Sequence, residues 1–276
     1  MQDTDTPVSW ICETCGTQFA PTAAAPHHCP ICEDERQYVG WGGQRWTTMA
    51  ALRARHAIDL RTEDGILTMS MAPPFAIGQR AFLIPHGGKR LMWECLSLVT
   101  PEAVGTLEAL GGVSAIAVSH PHFYSAMAAW SEALGGVPVY THEADRSWVQ
   151  CASSNQRFWR GERLALSADL ELVHLPGHFP GSAGLWWRRG PHGKGALLPG
   201  DALQVTMDRR HVTFMYSYPN HIPLGPSTVR HLRRVVAALT YDDVFGFSRG
   251  RQIIGAAQAA VEASFERYLA AVGAAG

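Results

Sequence analysis

No apolar run among the 276 residues reaches the roughly 18–20 that a membrane-spanning helix needs. The start, MQDTDTPVSW, has neither the basic residues nor the apolar stretch of a secretory signal, so a cytoplasmic location is expected. There is no repeat and no low-complexity segment, which leaves an ordinary globular chain. Neither sign of charge dominates, the net value being −1. Lys and Arg do not cluster as a nucleic-acid-binding arm requires to displace counterions. What remains is a chain of ordinary hydrophobic content, 46%, and of a length that suits one large domain with or without a small appendage.

The charge is unevenly spread. Residues 1–40 hold Asp3, Asp5, Glu13, Glu33, Asp34 and Glu35 against Arg36 alone, so this stretch carries −5 and the remainder +4. The cysteines are uneven too. Of six, Cys12, Cys15, Cys29 and Cys32 fall in one short stretch, and only Cys95 and Cys151 stand apart. Without a signal peptide, such a cluster reads as metal binding before disulfides. The spacing C-x2-C-x13-C-x2-C lets each pair turn two thiolates toward one ion, and Gly16 permits the tight turn after the first pair. Four thiolates close a tetrahedral site with no position for substrate, which predicts a structural Zn2+, with rubredoxin-type iron as the alternative. His27 and His28 could each stand in for a cysteine, but four cysteines suffice. A segment this short has too little core to fold alone, so the metal supplies folding energy. Its acidity argues against DNA or RNA and for docking or stabilisation. These features predict a zinc ribbon over 1–40, a linker and short helix over 41–59 with Thr47 or Thr48 as N-cap, and a main domain over 60–276.

In the main domain GILTMSMA, RAFLIP and RLMWECL read as strands, the last two joined by PHGGK as a hairpin. From Pro101 the pattern alternates between helix and strand: PEAVGTLEALG, VSAIAV, a helix over 123–134, then VPVY. The second half repeats the theme with LELVHL, GLWWRR, GALLPG, a basic helix from Ser227 to Leu239, the strand DVFGF and a helix within 253–271. Ile253, Ala257, Val261, Phe265 and Leu269 form one stripe of that last helix, most simply core. Hairpins alternating with helices in two halves predict an α/β sandwich with helices outside.

Three strand ends carry candidate ligands. VSAIAVSH ends in His120, and His122 lies two residues on, where an extended chain points both imidazoles the same way; Pro121 stiffens the pair. LPGHFPGS places His178 in a turn after a strand, and LLPGDAL places Asp201 at the end of another. HxH alone is a weak signal; three such ends together are what a metal cleft needs. Among the rest, His142 suits surface or capping use. Cys95 and Cys151 have no neighbouring base and are not expected to be nucleophiles. The stretch DRRHVTFMYSYPNHIPL reads as a solvated loop or as one over the cleft that recognises an anionic or aromatic substrate.

The order HPH, PGHFPGS, GD resembles that of the metallo-β-lactamase-fold hydrolases over residues 60–276, PGHFPGS standing close to the family's PGHTPGS. The resemblance implies that family's αββα sandwich. It also marks departures: where the family has HxHxDH, this chain has HPHFYS, so Tyr124 and Ser125 replace the Asp and the last His. FGFSRG offers no late histidine, and an early Asp is replaced around WEC, by Glu94. These losses imply that only one ion, Zn2+ or Fe2+, is held in the cleft, by His120, His122, His178 and Asp201. The expected activity is hydrolysis of a small ester, thioester, lactone or phosphoester by a metal-activated water. Asp201 would be ligand or base, and Tyr124 a hydrogen-bond donor to developing charge or a packing residue. Glu94 would orient a histidine or pair with a cation. The alternatives are a mononuclear non-haem iron oxygenase, resembling the persulfide dioxygenases, and a non-catalytic scaffold. Expected partners are a small-molecule substrate, neither nucleic acid nor membrane, and protein or a second copy through the ribbon.

Overall fold

The computed structural model describes residues 6–274, which fall into two compact units: residues 6–141 with 146–158, and residues 142–145 with 159–274. Asp3 and Asp5 of the acidic start lie outside the described residues. No helix among the described residues is long and apolar enough to cross a membrane.

The first unit holds, save for the end residues His142 and Trp159, a seven-stranded sheet in the order Ala57–Glu63, Ile66–Ala72, Arg80–His86, Lys89–Trp93, Val113–Ala117, Val139–His142, Gln156–Trp159. The first four strands are antiparallel neighbours; Gly87 and Gly88, both at positive φ, make the two-residue turn between the third and fourth. Pairing then becomes parallel, because the helix Pro101–Ala109, capped by Thr100, returns the chain to the same end. The four-cysteine stretch belongs to this unit. Its strand Trp10–Cys12 pairs antiparallel with Trp46–Thr48, so the segment expected as a linker supplies the ribbon's second strand. The short helix follows at Met49–Arg55, with Thr48 accepting from the Ala51 amide.

One expected helix is shorter than its pattern. Residues 123–134 hold a 3-10 turn, Pro121–Phe123, and an α-helix only over Met127–Ala133, because Ser125 lies at positive φ and breaks the run. Leu134 is the helix cap, and Gly135 and Gly136 follow at positive φ.

The second unit has a six-stranded sheet in the order Arg163–Ala165, Leu170–His174, Ala183–Trp187, Ala196–Leu198, Asp243–Phe245, Gln252–Ile254. Helices Pro226–Ala237 and Ala257–Ala271 bury Val229, Leu232 and Val236 from one and Val261, Phe265 and Leu269 from the other in a shared core with Leu197, Phe214 and Val244. Ile253 is in that core as part of a strand rather than of the last helix: Gly255 and Ala256, both at positive φ, turn the chain between them. Two short strand pairs missed by pattern reading arise here, Gln204–Val205 with Val212–Thr213 and Met215–Ser217 with Ile222–Pro223. They are too short for period-two alternation to register.

Candidate metal centres

The four cysteines converge. All are buried, and their Sγ atoms lie within 4.8 Å of one another. Cys12 and Cys32 stand 3.5 Å apart and Cys15 and Cys29 3.7 Å, far beyond a disulfide. Four sulfurs at about 2.3 Å from one zinc would be about 3.8 Å apart, so the donor set fits such an ion. The local chain builds this. The Gly16 amide donates to the Cys12 carbonyl at 2.9 Å, closing the first knuckle, and the Cys32 and Glu33 amides both donate to Cys29 in the second. Gln44 Nε2 donates to Cys12 Sγ at 3.1 Å. Burial pushes the Cys15 thiol up while hydrogen bonds from its three neighbours hold Cys12 down, a conflict that a shared cation removes. Phe19, Ile31, Trp46 and Trp148 pack round the cluster. His28 is exposed and pairs with Glu33, so it supplies no fifth donor.

In the first unit, His120 and His122 are both buried, with ring centroids 5.1 Å apart. Their proximity does not come from an extended chain: Pro121 opens the 3-10 turn that carries His122, as its fixed φ favours. Ser119 Oγ lies 2.7 Å from His120 Nδ1, and an Nδ1–H donated there leaves Nε2 as the ligand atom. Glu94, buried and at positive φ, accepts from the Ser119 amide at 3.1 Å, so it reaches His120 through that neighbour. Tyr124 follows, buried, its amide donating to the Pro121 carbonyl.

The second unit holds His178 and Asp201. Gly177 has φ +145 and touches Thr228 and Leu224 so closely that a Cβ would meet them at 2.8 and 3.0 Å; only glycine lets the PGH turn form. His178 Nδ1 faces two carbonyl oxygens, of Tyr216 at 2.9 Å and Met215 at 3.3 Å. A carbonyl only accepts, so Nδ1 carries the proton and Nε2 presents its lone pair. That Nε2 lies 3.8 Å from Asp201 Oδ2, beyond hydrogen-bond reach but within the span of two ligands each about 2.1 Å from one ion. Gln204 Nε2 donates to Asp201 Oδ1 at 3.2 Å, and the Tyr218 hydroxyl donates to the Asp201 carbonyl at 3.0 Å. Burial, and then the Asp201 charge, pushes the Tyr218 phenol well up, which keeps it a donor.

The supporting residues Gln204, Ser119, Tyr216 and Tyr218 carried no motif; the local hints were that Ser119 adjoins His120, Gln204 lies three places after Asp201, and both tyrosines fall in the 208–224 stretch. The 208–224 stretch supports His178 and Asp201 through its own backbone and Tyr218. His142 is buried, stacked on His174 at 4.1 Å, and caps the following turn by accepting from the Ala144 amide. Burial pushes the Cys95 and Cys151 thiols up, which suits inert residues.

No model of a known protein family matches the chain. The Bacillus subtilis (strain 168) uncharacterized protein YmaE is 41% identical over 266 residues, covering 95% of this chain and 96% of YmaE. This chain belongs to the YmaE family. Among solved structures, VMB-1 aligns with a TM-score of 0.57 at 12% identity over 78% of the YmaE-family chain and 98% of its own. A B3 metallo-β-lactamase described as the first with an active-site glutamic acid gives 0.50 at 20% identity, over 74% and 86%. The YmaE-family protein therefore has the metallo-β-lactamase fold, α/β in class, with a four-cysteine cluster in its N-terminal region. The four cysteines of the first unit could hold a metal ion.

Proposed function

We propose that this protein is a mononuclear metal-dependent hydrolase of a small ester, thioester, lactone or phosphoester, with His120, His122, His178 and Asp201 holding one ion and a structural zinc in the ribbon. The observation that carries this reading is His178: its Nδ1 proton is committed to backbone carbonyls, and its Nε2 faces Asp201 at a separation suited to a shared ion. When bound, such an ion supplies Lewis acidity, polarising a carbonyl or phosphoryl oxygen and bringing the pKa of water to about 7. The chain's own residues orient and move the proton. Asp201, steadied by Gln204, orients or deprotonates the attacking water, and Tyr124 donates a hydrogen bond to developing negative charge. The substrate is a small molecule in the cytoplasm, with neither nucleic acid nor membrane as partner. Exposed Tyr38 and Trp41, just past the ribbon's cysteines, support a protein contact or self-association there.

The test is elemental analysis of the full-length protein with a panel of esters, thioesters, lactones and phosphoesters. Two ions per chain are expected, falling to one with loss of turnover in His178→Ala. Iron as the second ion, with O2 uptake, would replace this reading with the oxygenase. One ion only, unchanged after incubation with Zn2+ or Fe2+, would leave a scaffold.

A further inference from the structure

The buried side chain of Gln79 lies between the four-cysteine cluster and the His120–His122 pair, all in the first unit. Its Nε2 donates to the Cys15 carbonyl at 2.7 Å and to the His122 carbonyl at 3.1 Å. An amide nitrogen has two N–H groups, and both are used. One side chain thus joins the backbone of a ribbon cysteine to that of a candidate histidine ligand. Two further bonds run the same way. Ser97 Oγ donates to the Gly16 carbonyl at 2.7 Å, and the Gln18 amide donates to the Ser125 carbonyl at 2.9 Å. The contact is close enough to need glycine: a Cβ on Gly16 would fall 2.4 Å from Ser97 Oγ and 3.2 Å from Gln79 Nε2.

The histidine segment has reason to need such ties. Residues 118–126 lie outside strand and α-helix, so most of their backbone groups have no ladder to join. Bonds donated by the Gln79 side chain and by the ribbon's Gln18 amide hold the segment on one side, and those that the Ser119 amide donates to Glu94 and the Ala126 amide to Leu96 hold it on the other.

We propose that Gln79 is a positioning residue through which the four-cysteine ribbon holds the His120–His122 pair in place, making the ribbon part of the catalytic scaffold. This rests on the hydrolase reading above. The chemistry sets the residue type. Glutamate, the same shape, would turn two acceptor oxygens on two carbonyls, and methionine, of similar volume, would donate nothing.

The test is the affinity of the His/Asp ion, measured with Zn2+ against a chromophoric chelator, in full-length wild type, Gln79→Met and Gln79→Glu. Metal content and melting are followed alongside. The variants should keep the ribbon ion and melt as folded proteins, while affinity for the second ion falls about 10–100-fold, as for other outer partners of metal ligands. Gln79→Glu should be no better than Gln79→Met, whereas a residue that merely filled space would tolerate it. Should Gln79→Met not fold, Ser97→Ala, with Gln79 retained, should still weaken the second ion several-fold. Unchanged affinity in a folded variant with both ions loaded overturns the proposal and leaves the hydrolase reading standing. A wild type that takes up only the ribbon ion overturns both.

Discussion

The two candidate metal centres are assembled in opposite ways. All four ribbon donors lie between Cys12 and Cys32, are chemically identical, and are turned toward one another by knuckle hydrogen bonds a few residues long. His120, His122, His178 and Asp201 are of mixed type, follow strand ends far apart in the chain, and are steadied in part by near neighbours, Ser119 and Gln204, and in part by distant residues, Gln79 and Tyr216. The first arrangement closes a site and leaves nothing for substrate. The second, as proposed, has an open position for a reacting group when Asp201 serves the water and not the ion. A locally made site stabilises; a distributed one takes its accuracy from the whole fold.

Breaking the local site should have the largest effect. Cys29→Ser should release the ribbon ion and unfold the ribbon, since structural zinc in small domains contributes about 10–16 kcal/mol of apparent binding free energy. Metal content and thermal unfolding would register it, and a variant that keeps its ion would erase the contrast. Breaking the distributed site should cost activity instead of fold. His178→Ala should lower turnover by about 10³-fold or more at near-unchanged melting. Tyr124→Phe isolates the proposed hydrogen bond, with kcat expected to fall about 10²-fold at constant metal content; an unchanged kcat would return Tyr124 to packing alone. Gly16→Ala strains a backbone at φ +81 and crowds Ser97, so a loss of about 1–3 kcal/mol is expected in denaturant unfolding.

The smallest effect lies away from both centres. Burial is the first cause that lowers the pKa of His142 and of His174, so both are held neutral in the folded state. Their folded values lie below the ordinary value of about 6.5. The resulting stability is present above that pH and lost as pH falls through the folded values. His142→Phe should flatten the acid side of the stability curve, measured by denaturant unfolding between neutral and mildly acid pH. An unaltered slope would show that His142 does not set the acid sensitivity.

Residue order alone carried the paired cysteines, the HPH, PGH and GD stretches and most strands, because each depends on spacing within a few residues, while the alternation of those elements along the chain and the family resemblance of the motifs carried the fold class. It misjudged what depends on distant partners. The helix expected over 123–134 is broken at Ser125, whose carbonyl serves the Gln18 amide from the ribbon. Ile253 joins the predicted core stripe from a strand. Residues 46–48 pair with the ribbon although nothing local marks them as its second strand. Gln79, Gln204 and Tyr218 are ordinary polar residues until folding brings a carbonyl or carboxylate against them. Hydrogen bonds between residues far apart in the chain have no period or motif, so their partners emerge only when packing brings them together.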